Sequence, residues 1–379
     1  MIIAIDQALP YWRESFSDLG EVRPFAGRKL RPEDLHDVDA LVVRTVTPVN
    51  AALLEGSSVR FVGAASAGMD HIDQAYLRKK GIHFCYAAGC NADAVSEYIL
   101  AALHTIAARK GWTLAEKSLA VIGVGNVGSR VARKAGALGM NVRLCDPPLH
   151  DATGDTKYQS FEDMLDADVL TFHVPLTASG LYPTHHLLNH EILSRLAPHQ
   201  LIINSSRGEV VDNAALARAL RERSILGAVL DVWEDEPEID YDLLALADIG
   251  TPHVAGTTLD GKIKAVTLMR ERLCEFLRLD RPLDTTNFYP ETQRIYLETE
   301  NSPQQMIAAA VRAVYDIEKD DAELRTLAAM AEDERGKNFE QLRTGHFLRP
   351  ECHHYMIELD SSQRELADMF VGIGFKLAA

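Results

Sequence analysis

The stretch AVIGVGNVGSRVARKAGALGMNVRLCDPP, residues 120–148, decides the fold. Its glycines Gly123, Gly125 and Gly128 fit the spacing G-x-G-x-x-G, which follows the apolar run LAVIG and opens a segment of helical periodicity. A second apolar run, NVRLC, leads to Asp146, about 20 residues beyond the glycines. A strand, a glycine-rich turn, a helix and a strand that ends in a carboxylate together predict a dinucleotide-binding unit rather than a plain tight turn.

Each feature of such a unit would have its own role here. Gly123 permits the tight turn, Gly125 lets the backbone approach a pyrophosphate, and Gly128 permits close packing of helix on strand. The helix start offers amide groups and a positive dipole end to the phosphates. A carboxylate at Asp146 would accept hydrogen bonds from ribose hydroxyls and repel a 2′-phosphate. We therefore expect NAD rather than NADP, although Arg143 in the same strand weakens that preference.

Length, composition and charge exclude several classes of protein. The chain has 379 residues, enough for two or three domains. Its formal net charge of −16 argues against a nucleic-acid-binding or anionic membrane surface, because both partners would repel it. The five cysteines form no Cys-x-x-Cys pair, which predicts neither a disulfide framework nor a zinc site. We expect no bound metal.

The N-terminal run MIIAIDQALPYW has no basic leader and is predicted to be a buried first strand rather than a signal peptide. No apolar run approaches the ~20 residues of a membrane span. Together with the scattered cysteines, these features predict a cytoplasmic protein.

Short apolar runs alternate with helical segments along most of the chain. The runs IIAID, ALVVR, VRFVGAA and GIHFCYAA predict parallel strands in a first domain, and a second series extends from SLAVIGVG to ILGAVLDV. The helix LDGKIKAVTLMRERLCEFLRL could return to the first domain. The last part of the chain combines long helices with the strand-like run ECHHYMIELD, and its final helix, SSQRELADMFVGIGF, is expected to open with a serine cap.

The expected fold class is therefore α/β, with two Rossmann-like, doubly wound parallel-sheet domains and a C-terminal α+β domain. We expect a substrate-binding domain over residues 1–92 and 257–286. The nucleotide-binding domain would span residues 93–256, and the C-terminal domain residues 287–379.

Three polar residues each follow a predicted strand of the second series. Arg207 comes after LIIN, Glu236 after GAVLD, and His253 after DIG. Ligands of open α/β sheets bind outside the carboxyl ends of the strands, so the three side chains can converge on one crevice. A histidine can take the proton of a secondary alcohol, a glutamate can raise the pKa of that histidine, and an arginine can bind a carboxylate. Taken singly, each would be an ordinary surface or loop residue.

The motifs GVGNVGSRVA, HVPLT, NSSRGEVVD, LDVWEDEP and TPHVAG, in this order, resemble the D-2-hydroxyacid dehydrogenase family. The resemblance implies that Arg207 is the catalytic arginine and that His253 is the proton-transferring histidine. It implies that Glu236 is the glutamate that pairs with this histidine. It also implies that Asp231 contacts the nicotinamide end of NAD and that Asp146 binds the ribose. The full set of implied cofactor-binding positions is Gly123, Gly125, Asn126, Val127, Gly128, Asp146, Pro175, Ser205, Ser206, Arg207, Asp231 and Gly256.

The substrate is expected to bind to the first domain as well. The run AASAGMDHID is similar to the substrate loop of the family, whose backbone amides receive a carboxylate. Arg44, at the end of the strand in LVVRTVTP, could contact a phosphate or carboxylate; the alternative is a surface salt bridge. The expected substrate-binding residues are Arg44, Thr45, Ser66, Ala67, Gly68 and Thr257.

The C-terminal run FEQLRTGHFLRPE and the later GIGF resemble the dimerisation domain of one family member, which oxidises 4-phospho-D-erythronate at C2 in pyridoxal phosphate biosynthesis. We therefore expect a homodimer formed through this domain and a small phosphorylated hydroxy acid as substrate. The alternatives are a 3-phosphoglycerate or other 2-hydroxyacid dehydrogenase, and a non-catalytic NAD-sensing scaffold. Whether Arg349 reaches the active site of a partner subunit stays open at this point.

Overall fold

The computed structural model describes residues 1–298, 301–359 and 363–378, except for the side chains of Arg364 and Glu365. The strands are β1 (Ile2–Asp6), β2 (Glu21–Phe25), β3 (Ala40–Val43), β4 (Phe61–Ala64), β5 (His83–Tyr86), β6 (Ser118–Ile122), β7 (Asn141–Cys145), β8 (Val169–Phe172), β9 (Leu201–Asn204), β10 (Gly227–Leu230), β11 (Ile249–Gly250), β12 (Gln293–Ile295), β13 (Tyr355–Ile357) and β14 (Lys376–Leu377). The α-helices are α1 (Trp12–Phe16), α2 (Ala51–Leu54), α3 (Gln74–Lys80), α4 (Ala92–Lys110), α5 (Asn126–Ala137), α6 (Pro147–Thr153), α7 (His190–Leu193), α8 (Asn213–Glu222), α9 (Tyr241–Leu246), α10 (Leu259–Leu277), α11 (Pro303–Val314), α12 (Ile317–Thr326), α13 (Glu332–Gly345) and α14 (Arg364–Ile373). The serine cap predicted for the last helix falls at Ser361 and Ser362, outside the described residues.

The chain divides into two compact units. Unit 1 comprises Met1–Asn91 and Thr258–Pro290, and unit 2 comprises Ala92–Thr257 and Glu291–Ala379. The C-terminal region is thus grouped with the nucleotide-binding segment, and the division into three domains stays a prediction. Among the described residues, no helix is long and apolar enough to cross a lipid bilayer.

Unit 1, which is described throughout, contains a parallel sheet in the order β2-β1-β3-β4-β5. Its central strands are continuously buried because helices cover both faces, as their apolar sequences predict. Helix α10 returns to this sheet: a Cβ on Gly63 of β4 would lie 2.9 Å from the sulfur of Met269. Strand β2, EVRPF, lacks a continuous apolar run and forms the edge of the sheet, where Pro24 is tolerated.

Within its described residues, unit 2 contains a larger parallel sheet in the order β11-β10-β9-β8-β6-β7. The strand order reverses at β6, whose neighbours are β7 and β8, so the carboxyl end of β6 lies at a topological switch point where such sheets bind ligands. The predicted α/β class is confirmed, with two parallel sheets and a C-terminal α+β region that carries the small sheet β12-β13-β14.

The C-terminal region is fixed to α4 and α5 by a buried ionic cluster. Glu97 of α4 accepts hydrogen bonds from Arg349 Nη1 at 2.5 Å and from the backbone N–H of Cys352 at 2.8 Å, while Lys134 Nζ of α5 lies 3.7 Å from it. Burial would raise the pKa of Glu97, but Lys134 and Arg349 hold that pKa below its ordinary value. Arg349 is therefore bound inside its own chain, which does not favour a role in a partner's active site.

Candidate active site

The glycine-rich turn leaves no room for side chains where the prediction requires none. Gly123 has a φ of +86°, which favours glycine, and a Cβ there would lie 2.6 Å from the carbonyl oxygen of His173. A Cβ on Gly128 would lie 1.9 Å from the carbonyl oxygen of Gly123, so the helix can pack on this turn only because residue 128 is a glycine. Gly125, by contrast, is exposed and a Cβ there would meet nothing within 4 Å. The space beside Gly125 is where a pyrophosphate would lie.

The surroundings of Asp146 fit the ribose of NAD. Its Oδ2 accepts the N–H of Val124 at 2.8 Å and its Oδ1 accepts the N–H of Leu149 at 3.0 Å. Each oxygen keeps a further lone pair for a ribose hydroxyl. Arg143, whose presence weakened the expectation of NAD, forms an ion pair with Asp166. Its charge is thus partly neutralised within the protein, and the residues of this cradle fit NAD.

The other expected cofactor positions lie at the carboxyl ends of neighbouring strands. Pro175 follows β8 and is exposed, and Ser205 and Ser206 follow β9. The Ser206 hydroxyl donates to Asn204 at 2.9 Å. The buried Ser205 hydroxyl has no hydrogen-bond partner within the described part of the chain, which leaves a polar group that a bound cofactor could satisfy.

Glu236 and His253 form a close pair. Glu236 Oε2 lies 2.7 Å from Nδ1 of His253, and its Oε1 accepts the N–H of Trp233 at 3.0 Å. Glu236 is thereby fixed through both oxygens. With Nδ1 directed at the carboxylate, Nε2 is the nitrogen left to exchange a proton with a substrate.

Asp231, at the end of β10, holds the turn that carries His253. It is 1% exposed and accepts the Thr251 hydroxyl at 2.7 Å, the N–H of Val254 at 2.8 Å and the N–H of Ala255 at 3.0 Å. His253 itself has a φ of +57°, an uncommon conformation for a residue other than glycine. The expected nicotinamide contact of Asp231 stays a prediction, whereas its three contacts with this turn were not anticipated from the sequence.

The electrostatics of His253 combine opposing effects. Burial lowers the pKa of the imidazole, and the carboxylates of Glu236 and Asp231 raise it, with a smaller lowering by Arg343. The result is a pKa above its ordinary value. For Asp231, a carboxyl group, burial acts in the opposite direction and raises the pKa. A histidine with these neighbours can change protonation state near neutral pH, as an acid–base group must.

Arg207 is brought to the same sheet edge by close backbone packing. It directly precedes Gly208, where a Cβ would lie 2.0 Å from the carbonyl carbon of Trp233, so the turn after β9 touches the turn after β10. The carbonyl of Arg207 accepts from Asn204 Nδ2 at 2.8 Å, and its Nη1 donates to the carbonyl of Ser206 at 2.7 Å. Arg207 thus lies in a turn that packs on the one leading to Glu236, and β9, β10 and β11, which precede Arg207, Glu236 and His253, are neighbouring strands; the shared catalytic role of the three stays a prediction.

In unit 1, the expected substrate residues lie at the carboxyl ends of the neighbouring strands β3 and β4. Arg44 Nε donates to Asp6 Oδ2 at 2.9 Å, and this carboxylate is fully buried. Among the described residues, the Arg44 side chain donates to Asp6 through Nε. The two terminal nitrogens of the Arg44 guanidinium are therefore able to bind an anion. The Ser66 hydroxyl donates to the carbonyl of Gly68 at 2.7 Å. The alternative expectation for Arg44 was a surface salt bridge. The salt bridge is present, but its carboxylate, Asp6, is buried rather than at the surface.

The remaining expected substrate residues are less constrained. Thr45 is exposed beside Arg44, and Ala67 lies within the turn after β4. In unit 2, the N–H of Thr257 donates to the carbonyl of Val254 at 2.8 Å, at the close of the turn that carries His253, and Gly256 precedes it. Asp6, which ends the run IIAID, was not singled out from the sequence. An acidic residue at the end of a buried strand could have indicated it as a partner for the arginine that follows another strand.

Comparison with known proteins agrees with this geometry. Residues 96–255 match the family described as D-isomer specific 2-hydroxyacid dehydrogenase, NAD binding domain, and residues 289–374 match a domain of unknown function (DUF3410). The chain is 42% identical over 377 residues to the erythronate-4-phosphate dehydrogenase of Proteus mirabilis (strain HI4320), with 99% of each chain covered. The chain belongs to the D-2-hydroxyacid dehydrogenase family. Enzymes of this family are NAD-dependent oxidoreductases of 2-hydroxy acids.

Further D-2-hydroxyacid dehydrogenases support the assignment. The erythronate-4-phosphate dehydrogenase of Photorhabdus laumondii subsp. laumondii is 42% identical over 378 residues, again with 99% of each chain covered. Among solved structures, D-lactate dehydrogenase from Aquifex aeolicus, complexed with NAD and lactic acid, matches with a TM-score of 0.60 and 26% identity. That match covers 73% of this chain and 96% of the lactate dehydrogenase. Residues 96–255 of the present chain are therefore the NAD-binding domain of the family.

Proposed function

We propose that this chain catalyses the NAD-dependent oxidation of 4-phospho-D-erythronate at C2 to 2-oxo-3-hydroxy-4-phosphobutanoate, a step of pyridoxal 5′-phosphate biosynthesis. The contact of 2.7 Å between Glu236 and His253, at the strand ends that also carry Arg207, is the observation on which the chemistry depends. The named relatives, similar over 99% of the chain, support the choice of substrate. The expected cytoplasmic location stays a prediction.

In the proposed mechanism, Nε2 of His253 takes the proton of the C2 hydroxyl. Glu236 accepts the hydrogen bond from Nδ1 and stabilises the imidazolium that forms. Arg207 binds the carboxylate and the oxygen at C2 and so holds the reacting carbon. NAD held by the glycine-rich cradle and Asp146 would supply the acceptor for the hydride from C2. When the reaction runs in reverse, the protonated His253 returns its proton to the oxygen of the 2-oxo acid.

The anionic groups of the substrate require cations or backbone donors. In unit 1, Arg44 is held by the buried carboxylate of Asp6, and the turn of Ser66, Ala67 and Gly68 presents backbone amides. Within unit 1, we assign the substrate carboxylate to the amides of this turn and the phosphate to Arg44. Thr45 and Thr257 would add hydroxyl donors.

The activity of the purified chain tests the proposal. It is incubated with NAD and 4-phospho-D-erythronate, with 3-phosphoglycerate in parallel, while NADH absorbance is followed. A second set contains an added 2-oxo acid, so that cofactor which stays bound after reduction is detected by its reoxidation. Preference for the four-carbon phosphate supports the proposal, and preference for 3-phosphoglycerate assigns a different substrate to the same mechanism. NAD binding without turnover of either compound would contradict it and favour a scaffold.

We also propose that the chain is a homodimer formed through residues 287–379. Tyr296, Phe347 and Val371, all in this region, are 73%, 77% and 54% exposed, so apolar side chains are available there for contact with a second copy. Deleting the region would uncover Glu97 and Lys134, so surface substitutions are the better test. Phe347→Ser with Val371→Asp is expected to give a monomer by size exclusion with light scattering. A dimer that survives both changes would contradict this interface.

A further inference from the structure

The strand that leads to His253 is short and lies at the edge of its sheet. β11 consists of Ile249 and Gly250, and it ends the strand order in the described part of unit 2, with β10 as its neighbour. The N–H of Thr251 donates to the carbonyl of Leu230 in β10 at 2.9 Å, so the N–H of Gly250, one residue earlier, faces away from the sheet. A strand this short needs a second support to hold a fixed position.

Helix α12 of the C-terminal region provides that support on the outer side of β11. Oδ1 of Asp321 accepts the N–H of Gly250 at 2.7 Å, a buried hydrogen bond to a carboxylate. Arg325, one turn later in α12, donates to both oxygens of this carboxylate at 3.0 Å. Its Nη1 and Nη2 donate to the carbonyls of Leu244 and Ala247 at 2.7 and 2.8 Å, where α9 ends. The helix therefore fixes both β11 and the segment that leads into it.

Apolar packing holds α12 in place beside these polar contacts. Leu324 of α12 is fully buried in the same apolar cluster as Trp233 and Leu244. Those two side chains also enclose β11, since a Cβ on Gly250 would lie 2.3 Å from Cδ1 of Leu244 and 3.0 Å from Cζ2 of Trp233. The position of α12 thus does not depend on Asp321 alone, and a substitution of Asp321 can test its contact with β11.

The residues after β11 extend this fixation to the proposed acid–base pair. Thr251 is fully buried, and its hydroxyl donates to Asp231 at 2.7 Å. His253 follows two residues later, and its N–H donates to the carbonyl of Asp231 at 2.8 Å. Its Nδ1 lies 2.7 Å from Glu236, which follows β10 and not β11. A displacement of β11 relative to β10 would therefore separate His253 from its carboxylate partner.

We propose that Asp321 is a positioning residue of the active site: together with Arg325, it fixes the edge strand β11 and so holds His253 against Glu236. This inference rests on the proposed role of His253. It gives the C-terminal region a part in the active site of its own chain. That part is separate from the proposed dimer contact, because the exposed side chains assigned to the dimer lie outside α12.

Steady-state kinetics of Asp321→Ala test the inference. The substitution leaves the N–H of Gly250 without this acceptor, so β11 can move. We expect kcat for 4-phospho-D-erythronate to fall about 10–100-fold, the range for a displacement of about 1 Å in a catalytic group. The Kd of NAD should be unchanged, because the cradle is formed by β6, β7 and α5. Asp321→Asn keeps an oxygen that can accept the same N–H and should restore most of kcat.

Asp320, the preceding residue of α12, provides a matched control. Asp320 and Asp321 are each 8% exposed, but Asp320 accepts the Tyr315 hydroxyl at 2.6 Å and lies 3.0 Å from Nε2 of His346. Asp320→Ala should therefore lower the thermal unfolding midpoint as Asp321→Ala does, while leaving kcat unchanged. Equal losses of kcat in the two variants, or an unchanged kcat in Asp321→Ala, would overturn the inference.

Hydrogen–deuterium exchange, followed by mass spectrometry, measures the fixation of β11 without turnover. Exchange over residues 248–256 should be several-fold faster in Asp321→Ala than in the unaltered chain or in Asp320→Ala. Exchange over residues 118–146, which include the cofactor cradle, should be the same in all three.

A milder variant keeps the test decisive if Asp321→Ala does not fold. Arg325→Gln leaves the N–H of Gly250 paired but removes the guanidinium that orients the Asp321 carboxylate, so exchange over residues 248–256 should rise by a smaller factor. If the unaltered chain does not oxidise the proposed substrate, the proposed function fails, and exchange still decides whether Asp321 fixes β11. Unchanged exchange over residues 248–256 in both variants would overturn the inference whatever the substrate.

Discussion

The carboxyl edges of the two parallel sheets present different kinds of binding group. In unit 1, the edge carries a charged side chain, Arg44, and the turn at residues 66–68, whose amides are proposed to bind a carboxylate. In unit 2, the edge combines a glycine-lined backbone cradle with the Glu236–His253 pair. Two sheets of the same parallel type thus differ in the residues that come directly after their strands. Function is determined by these strand ends, and the sheets supply the positions.

A shared device underlies both edges. In each sheet, a buried aspartate at the end of one strand fixes the functional residue that follows the neighbouring strand. Asp6 of β1 binds Arg44 after β3, and Asp231 at the end of β10 binds the turn after β11 that carries His253. Removing one member of such a buried arrangement leaves the other without its partner, which is costly. The comparison therefore predicts that both aspartates act through their neighbours.

The largest effect is expected where the comparison is sharpest, at His253. His253→Ala removes the proposed base, so kcat should fall about 10²–10⁴-fold, the range for loss of a general base. NADH binding, measured by fluorescence, should be unchanged because the cradle lies at β6, β7 and α5. Turnover that persists at the original rate would remove His253 from the mechanism.

Arg44 provides the matching test in unit 1. Arg44→Gln should lower kcat/KM for 4-phospho-D-erythronate about 10–100-fold, since a charge-assisted contact is worth about 1.5–3 kcal/mol. Asp6→Asn should lower it less, because the guanidinium remains but loses its anchor. Initial rates with 4-phospho-D-erythronate and with D-erythronate show which group Arg44 binds. If it binds the phosphate, D-erythronate should react equally fast with Arg44→Gln and with the unaltered chain. Equal losses on the two substrates would assign Arg44 to another group.

The sequence predicts most of the fold because its strands are of one kind. Runs such as IIAID and LIIN are apolar up to a polar last residue, as expected of strands buried on both faces, and the structure contains a strand at each. Strand β2, EVRPF, escapes this criterion because an edge strand needs no such run. The extent of the C-terminal region's contact with α4 and α5 also escapes, since Glu97 and Arg349 are far apart in sequence.

At the site, the predictable part consists of residues that directly follow strands. Arg207, Glu236 and His253 were expected to converge because parallel strands end at one edge. Glu236 and His253 are in contact, and Arg207 follows a neighbouring strand of the same sheet. Asp231 was assigned to the cofactor by resemblance, and its bonds to Val254 and Ala255 depend on a turn geometry that spacing does not reveal. Contributions from residues distant in sequence require the tertiary structure.

Glu236→Gln is expected to change the pH dependence of the reaction as well as its rate. Glu236 raises the pKa of His253, so its loss lets burial lower that pKa, and the acidic limb of oxidation should move to lower pH. The plateau rate should fall about tenfold because the imidazolium loses its stabilising carboxylate. Profiles of kcat/KM over the range about pH 5 to 10 measure both effects, and an unshifted limb would show that another group controls the profile.

The same pair links pH to stability. His253 has a raised pKa in the folded chain, so its pairing with Glu236 contributes stability that is fully present below the ordinary pKa of histidine. That contribution is lost as pH rises through the raised value. The difference in thermal unfolding midpoint between Glu236→Gln and the unaltered chain should therefore be larger at about pH 6 than at about pH 9.

The smallest effect on the chemistry is expected in the cradle, where two glycines with different surroundings can be compared. Gly128→Ala brings a Cβ to 1.9 Å from the carbonyl oxygen of Gly123, so α5 must shift, at a cost of about 1–3 kcal/mol in unfolding free energy. Gly125→Ala meets nothing within 4 Å and should leave the thermal midpoint unchanged. Its methyl group would instead stand where the pyrophosphate approaches, which should weaken NAD binding several-fold while leaving kcat at saturating NAD nearly intact. Calorimetric titration with NAD, beside thermal unfolding of both variants, separates packing from cofactor contact. If Gly125→Ala bound NAD as tightly as the unaltered chain, the space beside Gly125 would not hold the pyrophosphate.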